Sequence, residues 1–196
     1  CNIYPADPSD QKVDNTNRHN LSDQHLVEKS LSGDSHAFHL IVKNTENLVA
    51  QIVFKMISHP DDRKDIAQDI YLKAFKNLAG FKFQSKLSTW IAQVSYNTCV
   101  DHLRKKKLSF PGTIDEEYEI NDPVSDDTSI LIRQRELSAI LKAGIDQLPP
   151  VYKTLIILYH NQELSYEEII QITGLPEGTV KSYLSRARKA LKNSLL

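Results

Sequence analysis

The sequence predicts an all-α fold: two small helical domains joined by a flexible acidic linker, the C-terminal one containing a helix-turn-helix. Three observations predict it. Apolar residues recur at spacings of three and four, with no convincing strand between Leu21 and Lys107. Residues 108–130 carry Pro111, Gly112, Pro123 and a concentration of acids, with too little apolar content to pack by themselves. Ser165 is followed three residues later by Glu168, and the helix they start is soon broken by Thr173-Gly174-Leu175-Pro176.

Length and composition bound what such a chain does. At 196 residues it fits one ordinary domain or two small ones, and 40% hydrophobic with 25% charged residues is the balance of a soluble globular protein. A net charge of -1 speaks against a nucleic-acid ligand until its distribution is considered. Arg104 to Lys107 form a basic run, Asp115 to Asp127 hold seven acids and no base, and Lys181 to Lys192 hold five bases and no acid. Cys1 and Cys99 offer neither a disulfide framework nor metal-ligand spacing, which points to a reducing, cytoplasmic setting. No apolar run approaches the roughly 18 residues of a membrane span, and no signal-peptide stretch opens the sequence.

The elements follow in order. Residues 1–20 are polar, contain Pro5 and Pro8, and read as a disordered lead. The first domain, 21–107, opens with Leu26, Leu31, Phe38, Ile41 and Val42, continued by Leu48, Val49, Ile52, Val53, Met56 and Ile57, and two helices are the economical reading. Asp61 and Asp62 after Pro60 mark a helix start. Ala67, Ile70, Tyr71, Ala74, Phe75 and Leu78 then recur at offsets 0, 3, 4, 7, 8 and 11, a stripe predicted to be buried. Gly80 ends that helix, Phe81 to Lys86 form a loop, and Leu87, Trp90, Ile91, Val94 and Thr98 mark a helix running to the basic residues. Past the linker, periodicity resumes near Leu131. Three further helices, cut at Pro149-Pro150, Asn161 and Gly174, make a small second domain over 131–196.

The last two helices carry the firmest local motif. In the capping box each of Ser165 and Glu168 satisfies an orphan backbone amide, and Gly174 supplies the left-handed residue a tight turn needs. Ile170, four residues before that glycine, stands where many such motifs place alanine. At about 100° per residue, Val180, Tyr183, Leu184, Ala187 and Leu191 gather on one side of the final helix, while Gly178, Ser182, Ser185 and Lys189 point oppositely. Thr179 and Arg186 flank one edge, Lys181 and Arg188 the other. Small hydroxyls at the centre and cations at the borders suit a DNA major groove, the centre reading base edges and the rim holding phosphates. A solvated amphipathic helix is the bland alternative, and the capped helix and glycine turn before it favour duplex DNA.

Three ordered segments add a family. Asp65-Ile66-Ala67-Gln68-Asp69-Ile70-Tyr71, then Leu87-Ser88-Thr89-Trp90-Ile91 followed by Asn97, Asp101 and Arg104, and finally Gly178-Thr179-Val180-Lys181-Ser182-Tyr183-Leu184-Ser185-Arg186-Ala187-Arg188 resemble the bacterial sigma factors of the extracytoplasmic-function (ECF) group of the sigma-70 family. The resemblance covers about residues 21–196. It implies a sigma region 2 domain over 21–107, for core polymerase binding and -10 recognition, and a region 4 domain over 131–196 for the -35 element. It also implies core RNA polymerase and promoter DNA as partners, an anti-sigma factor, commonly membrane-bound, and no cofactor, small-molecule substrate or active site. By the same resemblance, the acidic linker runs through polymerase channels that otherwise take nucleic acid; a solubilising tether is the plainer alternative.

Each segment has its own physical logic. Asp62, Asp65, Asp69, Leu72 and Lys76 lie opposite the predicted buried stripe and leave an exposed acidic ridge. The family's matching surface docks on clamp helices of the largest polymerase subunit, a contact that falls here to Asp65, Gln68 and Asp69, with Leu72 as an apolar anchor. Lys86, Ser88, Thr89, Gln93, Tyr96 and Asn97, with Arg104, Lys105 and Lys106, suit unstacked bases and their backbone, and the resemblance assigns them the non-template strand of a melted -10 element. Trp90 shares an apolar stripe with Leu87 and Val94 and is read as core. The -35 element falls to Gly178, Thr179, Lys181, Ser182, Ser185, Arg186, Arg188 and Lys189. Tyr183 departs from the arginine common in that segment, so its ring is expected to pack and its hydroxyl to serve a phosphate.

Two other functions compete. His36 and His39 share a helix face, yet no third metal ligand, phosphate-binding glycine loop or nucleophile setting accompanies them, so an enzyme is not expected. A conventional transcription regulator would carry a similar DNA-binding segment. It has no need of both the acidic ridge and the surface from Asn97 to Lys107.

Overall fold

The computed structural model describes residues 22–109 and 140–193, and every regular element among the described residues is helical, as expected. They form α1 (22–31), α2 (Ser35–Met56), α3 (Pro60–Asn77), α4 (Leu87–Ser109), α5 (140–147), α6 (Pro150–Ile156), α7 (Tyr166–Thr173) and α8 (Glu177–Asn193). A 3-10 turn, Leu78–Gly80, follows α3, and a π turn, Ile157–Asn161, follows α6. The predicted lead and residues 110–139, most of the predicted linker among them, lie outside the described residues. Leu108 and Ser109, assigned to the linker from sequence, belong to the last turn of α4. The second unit has one helix more than expected, because α5 precedes the break at Pro149-Pro150.

Local chemistry explains the starts. Asp34 caps α2 by accepting hydrogen bonds from the backbone N–H groups of His36 (2.9 Å) and Ala37 (3.2 Å). Pro60 occupies the first turn of α3, where its missing N–H costs nothing, and Asp61 and Asp62 sit at the positive end of the helix dipole. The start of α4 is capped from a distance: the Leu87 N–H donates to the Asp23 carboxylate of α1 at 2.9 Å.

The buried stripe of α3 is narrower than expected: Ile70, Ala74 and Leu78 are buried as predicted, while Ala67 and Tyr71 are only half-buried. Ile66, Ile70, Ala74 and then Leu78 are buried, a strict spacing of four, whereas Phe75 is 53% exposed. A helix wedged against α2 and α4 packs along a ridge of every fourth residue, and the wider predicted stripe does not fit between two neighbours. Phe75 instead lies edge-on to Phe38, with centroids 5.0 Å apart, and Leu31, also predicted apolar-inward, is exposed. The Tyr71 hydroxyl joins α3 to α2 through Thr45 at 3.2 Å.

α4 is the hub, touching α2, α3 and α7. Its small buried residues Ala92, Ser95 and Cys99 leave room for close neighbours. Burial pushes the Cys99 thiol up to about 12, so it behaves as a core residue rather than a nucleophile. In the second unit α6 and α7 both pack on α8, burying Leu155, Leu158, Ile169, Ile172, Val180 and Leu184 completely. Each such aliphatic side chain contributes about 1.5–3 kcal/mol relative to exposure. One continuous buried cluster runs through both units, because α4 also packs on α7 and α2 on α6.

Candidate nucleic-acid interface

The helix-turn-helix is built as its sequence requires. The Ser165 hydroxyl accepts from the Glu168 N–H (3.2 Å), and the Glu168 carboxylate accepts from the Ser165 N–H (3.0 Å). Gly174 takes φ 68°, and its N–H closes the helix end on the Ile170 carbonyl at 2.8 Å. Ile170 itself is only half-buried, while Ile169, Ile172 and Thr173 face inward.

On α8 the inward residues Val180, Leu184, Ala187 and Leu191 are buried, which turns the opposite face outward. Gly178, Lys181, Ser185, Arg186, Arg188 and Lys189 are exposed, and Thr179 and Ser182 are half-buried. Ser182 donates to the Thr179 carbonyl at 3.0 Å. Lys181 pairs with Glu177, whose hydrogen bond and charge raise the lysine's pKa, and lies 5.7 Å from the Tyr166 ring centroid. Arg188 lies over the Tyr159 ring at 5.0 Å, with its Nε 3.4 Å from His160 Nε2, which ties that edge of α8 to the π turn. Tyr183 is half-buried with its ring 5.0 Å from that of Tyr152, so the ring packs as expected.

The α4 surface is more mixed. Phe81, Phe83 and Trp90 form an aromatic cluster, with centroids 4.7 Å apart for Phe81–Phe83 and 5.3 Å for Phe81–Trp90. Phe83 holds a left-handed backbone, φ 56°, rare for a bulky residue and often found at functional loops. Beside them is a cavity of about 330 Å³ lined by Phe81, Gln84, Thr89, Trp90, Gln93 and, from α7, Gln171. Trp90 is half-buried, part core and part cavity wall. Lys86, Asn97, Arg104 and Lys105 are exposed, and Ser88 and Gln93 half-buried. Thr89 and Tyr96 are only 3% and 5% exposed. Burial, and after it the nearness of Tyr183, raises the Tyr96 phenol pKa. Arg104 pairs with Asp101 at 3.0 Å.

On α3, Asp65, Gln68, Asp69 and Leu72 are all exposed and share one face with Phe75, an exposed aromatic where the sequence pattern places an inward one. Asp69 pairs with Lys73 at 2.8 Å. Asp62 leaves this ridge: it is half-buried and faces His102 (3.4 Å) and Lys106 (3.6 Å) of α4. His36 and His39 stack at 6.5 Å, both exposed, and no metal-holding group of His, Cys, Asp and Glu occurs among the described residues. No helix among them is long and apolar enough to cross a membrane.

The chain is similar to known proteins in sequence and in fold. The chain matches the family model for sigma-70 region 2 over residues 41–108 and that for sigma-70 region 4 over 138–191. It is 30% identical over 178 residues to the ECF RNA polymerase sigma factor SigW of Bacillus subtilis, covering 86% of this chain and 94% of that one. It is 33% identical over 187 residues to the ECF RNA polymerase sigma-E factor of Escherichia coli K12, covering 89% and 95%. Two solved structures share the fold. One is CnrH in complex with the cytosolic domain of CnrY, with TM-score 0.61 and 20% identity, covering 89% of this chain and 97% of that one. The other is RpoE in complex with the anti-sigma factor NepR from Bartonella quintana, with TM-score 0.61 and 24% identity, covering 81% and 96%. With two family models matched in order and relatives of this identity aligned nearly end to end, the chain belongs to the ECF sigma factors of the sigma-70 family.

Proposed function

We propose that this chain works in the cytoplasm, docks on core RNA polymerase through α3 and directs it to promoters by reading two DNA elements. The first domain, 21–107, holds the polymerase and reads the melted -10 element; the second, 131–196, reads the -35 element as duplex. The observation that carries this reading is the placement of three chemically distinct surfaces on three helices: the acidic-apolar ridge of α3, the amide and cation face of α4, and the hydroxyl and cation face of α8.

On α8, Gly178, Ser182 and Ser185 keep the centre low enough for a backbone or side chain to approach base edges, while Lys181, Arg186, Arg188 and Lys189 hold phosphates. On α4, Asn97 and Gln93 offer amides to flipped bases, and Lys86, Arg104 and Lys105 hold the strand. Strand opening follows from capturing bases that only the melted state presents. The polymerase supplies the chemistry, and this chain supplies specificity. Two structures of this fold were solved in complex, one with the cytosolic domain of CnrY and one with the anti-sigma factor NepR. An anti-sigma factor, membrane-bound or soluble, is the proposed inhibitor here.

The docking ridge is the most direct part to test. Replacing Asp65 and Asp69 by lysine reverses the ridge and sets the residue at 69 against Lys73, a like-charge pair that costs a helix only a few tenths of a kcal/mol. Capture of core polymerase in a pull-down is expected to fall at least tenfold, with helical circular dichroism unchanged. Equal capture contradicts the assignment.

A further inference from the structure

We propose that the π turn before the helix-turn-helix is an arginine holder: Tyr159 and His160 fix the Arg188 guanidinium and leave its two terminal nitrogens for one backbone phosphate of duplex DNA. This deepens the assignment of α8 to duplex DNA and rests on it.

The observations lie along one edge of α8. The Arg188 guanidinium stands over the Tyr159 ring, 5.0 Å from its centroid, and its Nε donates to His160 Nε2 at 3.4 Å. Tyr159 is backed by Tyr166 of α7, with centroids 5.2 Å apart, and Lys181 Nζ lies 5.7 Å from the Tyr166 centroid. The two cations of this edge thus stand against two tyrosines that touch each other. Arg188, Lys181 and His160 are exposed, whereas both tyrosines are half-buried. Packing anchors the rings, and the charges are left to solvent.

The backbone is shaped around this contact. The Gln162 N–H donates to the Ile157 carbonyl at 3.0 Å, five residues back, where an α-helix reaches back four. Glu163 then takes a left-handed conformation, φ 51°, unfavourable for a residue with a Cβ. Widened turns and left-handed residues of this kind cluster where a fold serves a ligand. Here two successive residues of the widened turn, Tyr159 and His160, meet the same arginine.

A guanidinium presents five N–H donors in one rigid plane. With Nε–H committed to His160, the terminal nitrogens keep the fork that matches two oxygens of one phosphate. The ring beneath the cation and the fixed Nε restrict the side chain in advance, so less freedom is lost when a phosphate arrives. Neither Tyr159 nor His160 needs to touch DNA: they are positioning residues for Arg188.

The test is a double-mutant cycle on Tyr159 and Arg188 in the full chain, read by fluorescence anisotropy of a labelled DNA duplex of mixed sequence over a salt series. Arg188→Ala is expected to weaken binding about tenfold, as for loss of a charge-assisted hydrogen bond, and to lower the slope of log affinity against log salt by about 1. Tyr159→Leu keeps apolar bulk and loses the ring. It is expected to weaken binding about threefold in the wild-type chain and not at all in the Arg188→Ala chain. Tyr159→Phe keeps the ring and is expected to bind as wild type. His160→Gln, whose amide oxygen still accepts from Nε, is expected to bind more tightly than His160→Leu. An equal loss from Tyr159→Leu in both backgrounds shows that the ring only packs the turn and overturns the proposal, as does no loss in either. Equal binding by the two His160 variants overturns the role of His160. Unchanged affinity and slope in Arg188→Ala overturn the holder and leave the duplex reading of α8 to Arg186 and Lys189; that reading itself fails only if their removal is equally silent.

Discussion

The outer face of α8 and the face of α4 use the same chemistry, cations set among small hydroxyls and amides, yet their surroundings differ. α8 is gripped on one side by α6 and α7, with Val180, Leu184 and Ala187 wholly buried, and its far side is left to solvent. α4 has neighbours in α2, α3 and α7, and Thr89 and Tyr96, which the motif marks for DNA, are buried. A helix with one packed face spares the other for a ligand. A helix at the hub keeps its polar reach in the loop before it and in exposed positions such as Asn97, Arg104 and Lys105.

That contrast is sharpened or broken by substitution. The largest expected effect is on the open face: Arg186→Ala with Lys189→Ala weakens promoter-duplex binding roughly a hundredfold, at about 1.5 kcal/mol for each charge-assisted hydrogen bond to phosphate that is removed. The slope of log affinity against log salt falls by about 2 units. Titration over a salt series checks both, and a slope equal to wild type shows that these cations do not touch phosphate. On the hub face the effect is smaller and differently placed. Asn97→Ala removes about one hydrogen bond's worth of capture, near 1 kcal/mol, so open-complex formation falls about fivefold while duplex affinity stays constant. Permanganate footprinting of the melted region measures this, and normal opening removes Asn97 from the reading face.

What could be read from sequence follows the range of the interactions. The helix-turn-helix was legible because the Ser165–Glu168 box, the left-handed Gly174 and the apolar face of α8 are all written within a few turns. The exposure of Asp65, Gln68, Asp69 and Leu72 was legible for the same reason. On α3 the inward Ile70, Ala74 and Leu78 were legible, but the edge of the stripe was not, since how α2 and α4 flank that helix turns Ile66 inward rather than Phe75. Nor was the loss of Asp62 from the ridge to His102 and Lys106, or the cap that Asp23 provides to α4 from 64 residues away. The burial of Thr89 and Tyr96 follows from the packing of neighbouring helices around α4, which no spacing within that helix records. Lys86 and Glu168 each had a local role, in the loop and in the capping box, and only the packing of α7 on α4 joins them.

One chain is proposed to carry both polymerase docking and two-element promoter reading. Run-off transcription with core polymerase, on supercoiled genomic promoter fragments selected by start-site mapping after overexpression, tests it most directly. Discrete transcripts are expected only when the chain is added, and are expected to be lost with the Asp65 and Asp69 reversal and with the Arg186 and Lys189 pair. Transcription by core polymerase that is unchanged by the chain, or promoted equally by the charge-reversed variant, would contradict it.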